Sequence, residues 1–532
     1  MESFKDTTKW EPRETDESHP SRDTTPVMAR PNGGSPPARR LSDDSFNNSS
    51  FRRENVVLDG SSEWLRRLML TNASSVVSEW YAIAIIRYFL WILRWKFVGP
   101  YVKRHKRRAL AQLFFGMSLF MRPFGAIVLG HIADSSSRIQ ALSISLICSA
   151  AATTLLPFVP EFRSIGPLSS YLAIGTQVIS GVAVGGQLPG AFVTMYEAAP
   201  KAHRYYYVAL MQFQAVGGVV LAAIVAAVYD ITVNDVATIN RLWKYPFVLT
   251  SLLALPGLYF LRALNRAEGN KDQEKQRSLT AIDAAESAAA NEVANPSPSF
   301  TRVAAKPAPI ADLCANHLCT IVLVFLSSAL WSVAFWILFG WFHERAPLHT
   351  LLSLTVFFLS GPIVAMVADS PSSYRLPSFV TAKSIVVTGA TLVGILAPLV
   401  FRVFAGFRDK DEQEWEELHV RKLKDLSAGQ AVGLASLSLL CGLYAGPLPA
   451  YLAMQFPKKV RYSGLAIGWG ASQMIFASTA GNIAAEIAYN YSVDKIGYYI
   501  SLVAFISAAA CCFLNPTEPT ASVVAGAAGS MW

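Results

Sequence analysis

Two ionisable residues stand inside an apolar stretch where neither would be cheap to bury. Glu79 and Arg87 lie within the run 70–93, eight positions apart. On a helix that is about two turns, roughly 80° round the axis and about 12 Å along it, so they share a broad face. An ionisable side chain within a membrane-length run marks a site for an ion, a proton or a charged solute. The alternative for Arg87 is snorkelling toward the basic stretch that begins at Arg94. Arg122, beside Pro123 in a second apolar run, is either a third member of such a site or an arginine held by backbone carbonyls. Among neutral polar residues in apolar runs, Tyr81, Gln177, Gln187, Gln212, Gln214, Tyr444 and Gln473 are candidates for solute contact or for hydrogen bonds between helices. Trp331 and Trp336 offer aromatic faces to a quaternary ammonium. Five residues apart, they do not share one helix face.

These residues need a membrane-embedded frame, and the composition supplies one. Charged residues are 16% of the 532, hydrophobic ones 52%, and mean hydropathy is +0.33. Soluble domains average about 25% charged residues. Of the 46 basic and 37 acidic residues, 23 fall in residues 1–68, 14 in 262–313 and 13 in 402–425. What remains is as charge-poor as lipid-facing protein. The net charge of +9 gives no support to nucleic-acid binding, because seven basic residues sit in one short stretch, Arg94–Arg108. The six cysteines lie in or beside apolar runs, without the paired spacing of a metal site, and read as buried, inert thiols.

From residue 69 onward, apolar runs of about 20 residues recur, each long enough to cross ~30 Å of hydrocarbon. They fall near 70–93, 110–133, 139–159, 169–195, 206–229, 244–263, 314–342, 347–368, 378–401, 428–452, 463–488 and 496–515. The expectation is an all-α membrane protein of twelve transmembrane helices in two six-helix bundles, residues 69–263 and 314–515. A polar central loop, 264–313, separates them on the cytoplasmic side. Residues 1–68 read as a disordered cytoplasmic tail and 516–532 as a short tail. Within the first tail, Arg39-Arg40-Leu41-Ser42 has the pattern of a kinase site at Ser42. The segment 402–427 reads as a solvated cap. Lys and Arg counts on the two sides come out nearly even, against the usual inside excess, so motifs must decide orientation. Asn490-Tyr491-Ser492 is a glycosylation sequon in an expected outer loop.

Small residues at helical spacing point to close packing. Gly181, Gly185, Gly186 and Gly190 form overlapping small-x-x-x-small faces, which let helices approach where lipid supplies no hydrophobic drive. Gly446-Pro447 and Pro449 are expected to bend or break their helix.

Five stretches in order resemble the major facilitator superfamily, in particular its metabolite–proton symporter branch of proline/betaine and organic-acid type. They are Glu79-Trp80-Tyr81; Arg122-Pro123-Phe124-Gly125 leading to Gly130-His131-Ile132-Ala133-Asp134; Gly181 to Gln187 followed by Glu197-Ala198-Ala199-Pro200 and Arg204; Trp243 to Phe247; and Gly442 to Pro449 followed by Phe456 to Gly464. The resemblance implies the major facilitator fold and transport by alternating access. It implies a cytoplasmic gate drawn from Gly130, Asp134, Arg138, Glu197, Arg204 and Arg461. The gate motif is thinned, with Ser135 and Ser137 where the family has glycine or base, and its repeat near Asp369 keeps only the acid. The family also carries an acid, an arginine and a glutamate at positions occupied here by Ala82, Gln177 and Gln187. That leaves Glu79 as the expected proton carrier and Arg87 as the expected anchor for an anionic group.

The function implied is secondary active or facilitative transport of a small polar organic solute, a carboxylate or a zwitterionic osmolyte, with protons as the only coupling ion foreseen and no cofactor. The partners are lipid and a small-molecule substrate. No Gly-x-x-x-x-Gly-Lys-Ser/Thr motif occurs, which disfavours ATP-driven pumping, and no ligand cluster suggests a membrane enzyme. A membrane sensor built on a transporter fold is the alternative.

Overall fold

The computed structural model describes residues 62–99, 114, 116–233, 235–290, 309–342, 347–369, 381–404 and 427–515. All twelve apolar runs are helical where described. Among the described residues, nine helices are long and apolar enough to cross a membrane singly, and a tenth candidate is a bent pair. Span 1 is that pair, Ser62–Tyr88 and Leu90–Phe97, bent by 64° at Phe89. Span 2 is Arg122–Ser135, span 3 Arg138–Leu155, and span 4 comprises Pro167–Val184 and Gln187–Ala198. Spans 5 and 6 are Arg204–Thr232 and Tyr245–Ala290. Span 7 runs as Leu318–Ser327, Ala329–Trp336 and a wide π-turn, Ile337–Phe342. Span 8 is Pro347–Asp369, span 9 Ala382–Phe401, and span 10 Ala428–Ala445 with Leu448–Ala453. Span 11 joins Arg461–Ser472 to Ser478–Asn490 through a π-turn at Gln473–Ala477, and span 12 is Ile496–Phe513.

Local chemistry explains the ends and breaks. Ser137 caps span 3, accepting from the Gln140 amide. Thr381 with Ser384 and Ser427 with Gln430 form reciprocal capping boxes at spans 9 and 10. Span 10 breaks at Gly446-Pro447, as the proline requires, and span 4 breaks at the equivalent place in its half, Gly185-Gly186. Two differences from the sequence reading stand out. Helix continues from span 6 through Ala290, so the first half of the polar 264–313 segment is helical. Of the six cysteines only Cys441 and Cys511 are buried, while Cys148, Cys314, Cys319 and Cys512 lie exposed on the outside of the helices. An apolar span presents lipid-facing positions as well as core, and hydropathy does not separate the two.

The two halves repeat one packing pattern. Span 1 lies against spans 5 and 6 as span 7 lies against 11 and 12, and span 3 packs on 4 and 6 as span 9 packs on 10 and 12. Span 2 meets span 4 backbone to backbone: side chains added at Gly125, Gly181 or Gly185 would strike main-chain atoms of the facing helix. Spans 8 and 10 meet the same way at Gly361 and Gly446. Across the two halves, span 2 runs along span 11 and span 5 along span 8. Exposed Phe158, Ile231, Tyr259, Ile363 and Phe513 leave the outer surface apolar.

Candidate functional site

Glu79 sits in the middle of span 1, 2% exposed, with its carboxylate 3.5 Å from the Arg122 guanidinium of span 2. Arg122 is 3% exposed. The contact is long for a charge-assisted hydrogen bond. Neither Glu79 oxygen, nor Nε or that Nη of Arg122, has a hydrogen-bond partner in the structure. Two opposite charges are thus neutralised but poorly satisfied, a pair poised for a competing group. Arg87 is buried two turns further along span 1, in the last turn before the bend.

Beside this pair lies a small cavity of about 20 Å³ within the first bundle, lined by Glu79 and Ala82 of span 1, Ser118 ahead of span 2, Ser149 of span 3, and Gln177 and Ser180 of span 4. Two of the positions at which the resemblance expects charges, Ala82 and Gln177, therefore face one chamber with Glu79. Gln187 does not line it. Its amide donates to the Ser75 carbonyl (3.0 Å) and hydroxyl (2.7 Å), and its oxygen accepts from Ser145 (2.9 Å), tying spans 1, 3 and 4 together. Tyr81 is likewise engaged, donating to the Pro246 carbonyl at 2.7 Å. Tyr444 points into the second bundle among Cys441, Ser507 and Cys511. Gln473 is held by Ser332 (2.8 Å) and by the Trp336 indole (3.2 Å). Gln212 is buried, and its amide nitrogen has no partner. Gln214 is partly buried, its oxygen without one.

Between the bundles, spans 1, 4, 7 and 11 meet through aromatic rings, an arrangement the sequence reading missed. Trp80 of span 1 stands edge-on to Trp331 (6.1 Å) and Phe335 (4.9 Å) of span 7. Trp331 stacks on Phe335 at 5.3 Å and tilts against Trp469 of span 11 at 5.0 Å, and Trp469 meets Phe192 of span 4. Trp336 turns away to Gln473, so the two span-7 tryptophans do occupy different faces. The indole nitrogens of Trp80, Trp331 and Trp469 are buried without acceptors. Buried indole N–H groups usually find one. Trp80 is the neighbour of Glu79 in sequence, and Gly470, next to Trp469, packs on the Arg122–Pro123 backbone. Ring cluster and ion pair are thus carried by adjoining residues of spans 1 and 11 and the start of span 2. The sequence signal was available in Trp80 beside Glu79 and in Gly468-Trp469-Gly470, where glycines flank a large ring.

At one end of the molecule, polar contacts join the halves. The Asp134 carboxylate accepts from the amides of Ser463 (2.8 Å) and Tyr462 (3.3 Å), capping span 11. Asp369 caps span 5 in the same way, accepting from Tyr205 and Tyr206 at 2.8 Å each. A carboxylate at a helix N-terminus satisfies orphan N–H groups and the helix dipole together. Arg138 pairs with Glu197 and donates to the Lys458 carbonyl at 3.0 Å, while Arg461 pairs with Glu197 at 3.1 Å. Arg204 and Arg461 both lie over the Tyr196 ring. The residues the resemblance assigns to a gate thus come together at this end: Arg138 reaches Glu197, Asp134 caps span 11, and Asp369 caps span 5. Gly130 abuts Ser463, and Gly186 and Gly190 abut Tyr462, whose hydroxyl donates to the Gly186 carbonyl at 2.8 Å. Ser42, the segment 405–426 and most of the Arg94–Arg108 stretch lie outside the described residues.

Comparison with known proteins bears on the fold. Residues 68–295 match the family model for sugar (and other) transporters. The glycine betaine/proline/ectoine/pipecolic acid transporter OusA of Dickeya dadantii strain 3937 is 21% identical over 455 residues, covering 85% of this chain and 84% of that protein. The inner membrane metabolite transport protein YhjE of Escherichia coli K12 is 22% identical over 422 residues, 76% of this chain and 83% of the relative. Among solved structures, the proton:xylose symporter XylE bound to 6-bromo-6-deoxy-D-glucose superposes with a TM-score of 0.61 at 16% identity, over 88% of this chain and 99% of that one. An inward open XylE from E. coli gives 0.57 at 15% identity, over 87% and 100%. The chain is a multi-pass membrane protein with the all-helical major facilitator fold, and it resembles the transporters of that superfamily's metabolite–proton symporter branch.

Proposed function

We propose that the protein carries a small zwitterion across the membrane by alternating access, with Glu79 and Arg122 as the switch and the Trp80–Trp331–Trp469 cluster as the recognition surface. The observation that carries this reading is a cluster of three buried indoles drawn from both bundles, one of which, Trp80, adjoins Glu79 of a buried and poorly satisfied ion pair. The ring faces suit an alkylated ammonium through cation–π attraction, worth about 2 kcal/mol or more when desolvated. A substrate carboxylate would displace Glu79 from Arg122, whose planar fork matches it. A proton on Glu79 makes that exchange neutral, since an unpaired buried carboxylate would cost several kcal/mol. Coupling follows: proton and solute each favour the arrival of the other. The relatives' names support the solute class, and the proton:xylose symporter neighbour supports the coupling.

The end bearing Asp134 and Asp369 is the cytoplasmic gate in this reading. The structure is then the state closed to the cytoplasm. Its cavity beside Glu79 has room for about one water, so the bundles must part to admit a solute. Uptake of labelled glycine betaine, proline, a dicarboxylate and a hexose into proteoliposomes tests the assignment. The zwitterions should be taken up in preference, Trp331→Leu should weaken betaine uptake at least tenfold, and Arg122→Lys should weaken all carboxylate-bearing solutes. Preference for the hexose, with Trp331→Leu and Arg122→Lys unchanged, would overturn it.

A further inference from the structure

The cavity beside Glu79 has a chemistry that the solute site does not use. Its polar lining is almost all oxygen. It comprises the Glu79 carboxylate, the Gln177 side chain, and the hydroxyls of Ser118, Ser149 and Ser180. Neither carboxylate oxygen has a hydrogen-bond partner, nor has the Gln177 carbonyl oxygen, and both residues are at most 2% exposed. The Gln177 amide nitrogen is directed to the Thr176 hydroxyl at 3.5 Å, which leaves its oxygen for the chamber. Ser149 spends its hydrogen on the Leu146 carbonyl at 3.2 Å, so toward the chamber it can only accept. The Glu79 and Gln177 oxygens, with no hydrogen bond made, call for a donor or a cation.

Building on the transport reading above, we propose that this chamber binds a sodium ion, as an alternative to a proton on Glu79. Three features select that ligand. The volume of about 20 Å³ takes one small ion or one water and nothing larger. Hard cations take oxygen ligands, as this set provides. It holds a single carboxylate, and among the described residues no group of three or more His, Cys, Asp or Glu gathers as a multivalent ion would require. Apolar walls from Ile83, Leu119 and Val184 exclude further water. Arg122, 3.5 Å from Glu79, sets the coupling. Sodium alone leaves the site one positive charge in excess, and a solute carboxylate on Arg122 cancels it. Ion and solute thus bind best together.

Two readouts separate this inference from the transport reading. Binding of ²²Na⁺ to the purified full-length protein needs no flux, and Glu79→Gln should abolish it while Ser149→Ala raises the half-saturating concentration about tenfold. In proteoliposomes at equal pH on both sides, an inward sodium gradient should speed labelled glycine betaine uptake several-fold over a potassium gradient. Sodium binding without betaine flux would leave the ion site standing and remove the zwitterion reading. Betaine flux indifferent to sodium, with no ²²Na⁺ bound, would overturn the sodium site alone.

Discussion

Removing Asp134 should open the gate end by an amount the geometry allows one to work out. Its carboxylate accepts two amide N–H groups at the start of span 11, 2.8 and 3.3 Å away, and these contacts exist only while spans 2 and 11 are together. Loss of a helix cap costs about 0.5–2 kcal/mol, and the anion's interaction with the helix dipole lies in a similar range. Arg138 keeps Glu197 and the Lys458 carbonyl, so that part of the gate survives. Asp134→Ala should therefore shift the balance between closed and open gate by about 1.5 kcal/mol, roughly tenfold. Asp134→Asn keeps one accepting oxygen and should shift it less. Asp369 caps span 5 through a separate pair of amides, and independent sites add. The double variant Asp134→Ala/Asp369→Ala should then approach about a hundredfold. Distances between spin labels on the span 2–3 and span 10–11 connections, with cysteine accessibility from each side, report the populations. An unchanged distribution in Asp134→Ala, or a double variant no more open than the single, would refute the reasoning.

Other outcomes follow from the same geometry. Gly185→Leu should block folding or insertion, because the added side chain meets the Arg122 main chain, and surface expression or detergent monodispersity would show it. Gln187→Leu, which strands the Ser75 hydroxyl in the bundle core and leaves Ser145 only the Ala183 carbonyl, should lower thermal stability by about 1–3 kcal/mol while leaving solute preference intact. Lys96 is buried at the far end between Glu161 and Asn240, 2.6 Å from each. Glu161→Gln should therefore cost about 1 kcal/mol in melting experiments, a modest loss because Glu161 is partly exposed.

The fold was largely legible because bilayer thickness imposes a length on every apolar run, and the break in span 10 followed from Gly446-Pro447, while the span-4 glycines were read for packing and not for the break at Gly185-Gly186. Glu79 stood out for a different reason, since ionisable groups at span centres have few tolerable explanations, whereas Asp134, Arg138 and Glu197 were singled out by the family resemblance. Pairing between spans was not legible. Glu79 could be set beside Arg87 on one helix by counting turns, but only the tertiary packing brings Arg122 of span 2 to it. The same limit applied to Gln187 and Tyr81, whose types suit solute contact and helix bridging equally, and which the structure shows bridging. Trp80, Trp331 and Trp469 come from three spans, and no periodicity within one helix reveals a cluster made between helices. Exposed cysteines escaped notice because hydropathy treats lipid-facing and core positions alike.

The most direct test of the switch is labelled glycine betaine transport by Glu79→Gln in proteoliposomes. Here an uncharged amide stands in for the cation-neutralised carboxylate and leaves Arg122 open to the solute. The account predicts that exchange of labelled for unlabelled betaine continues, while accumulation driven by an imposed ion gradient falls to the level of equilibration. Undiminished gradient-driven accumulation in Glu79→Gln would contradict it.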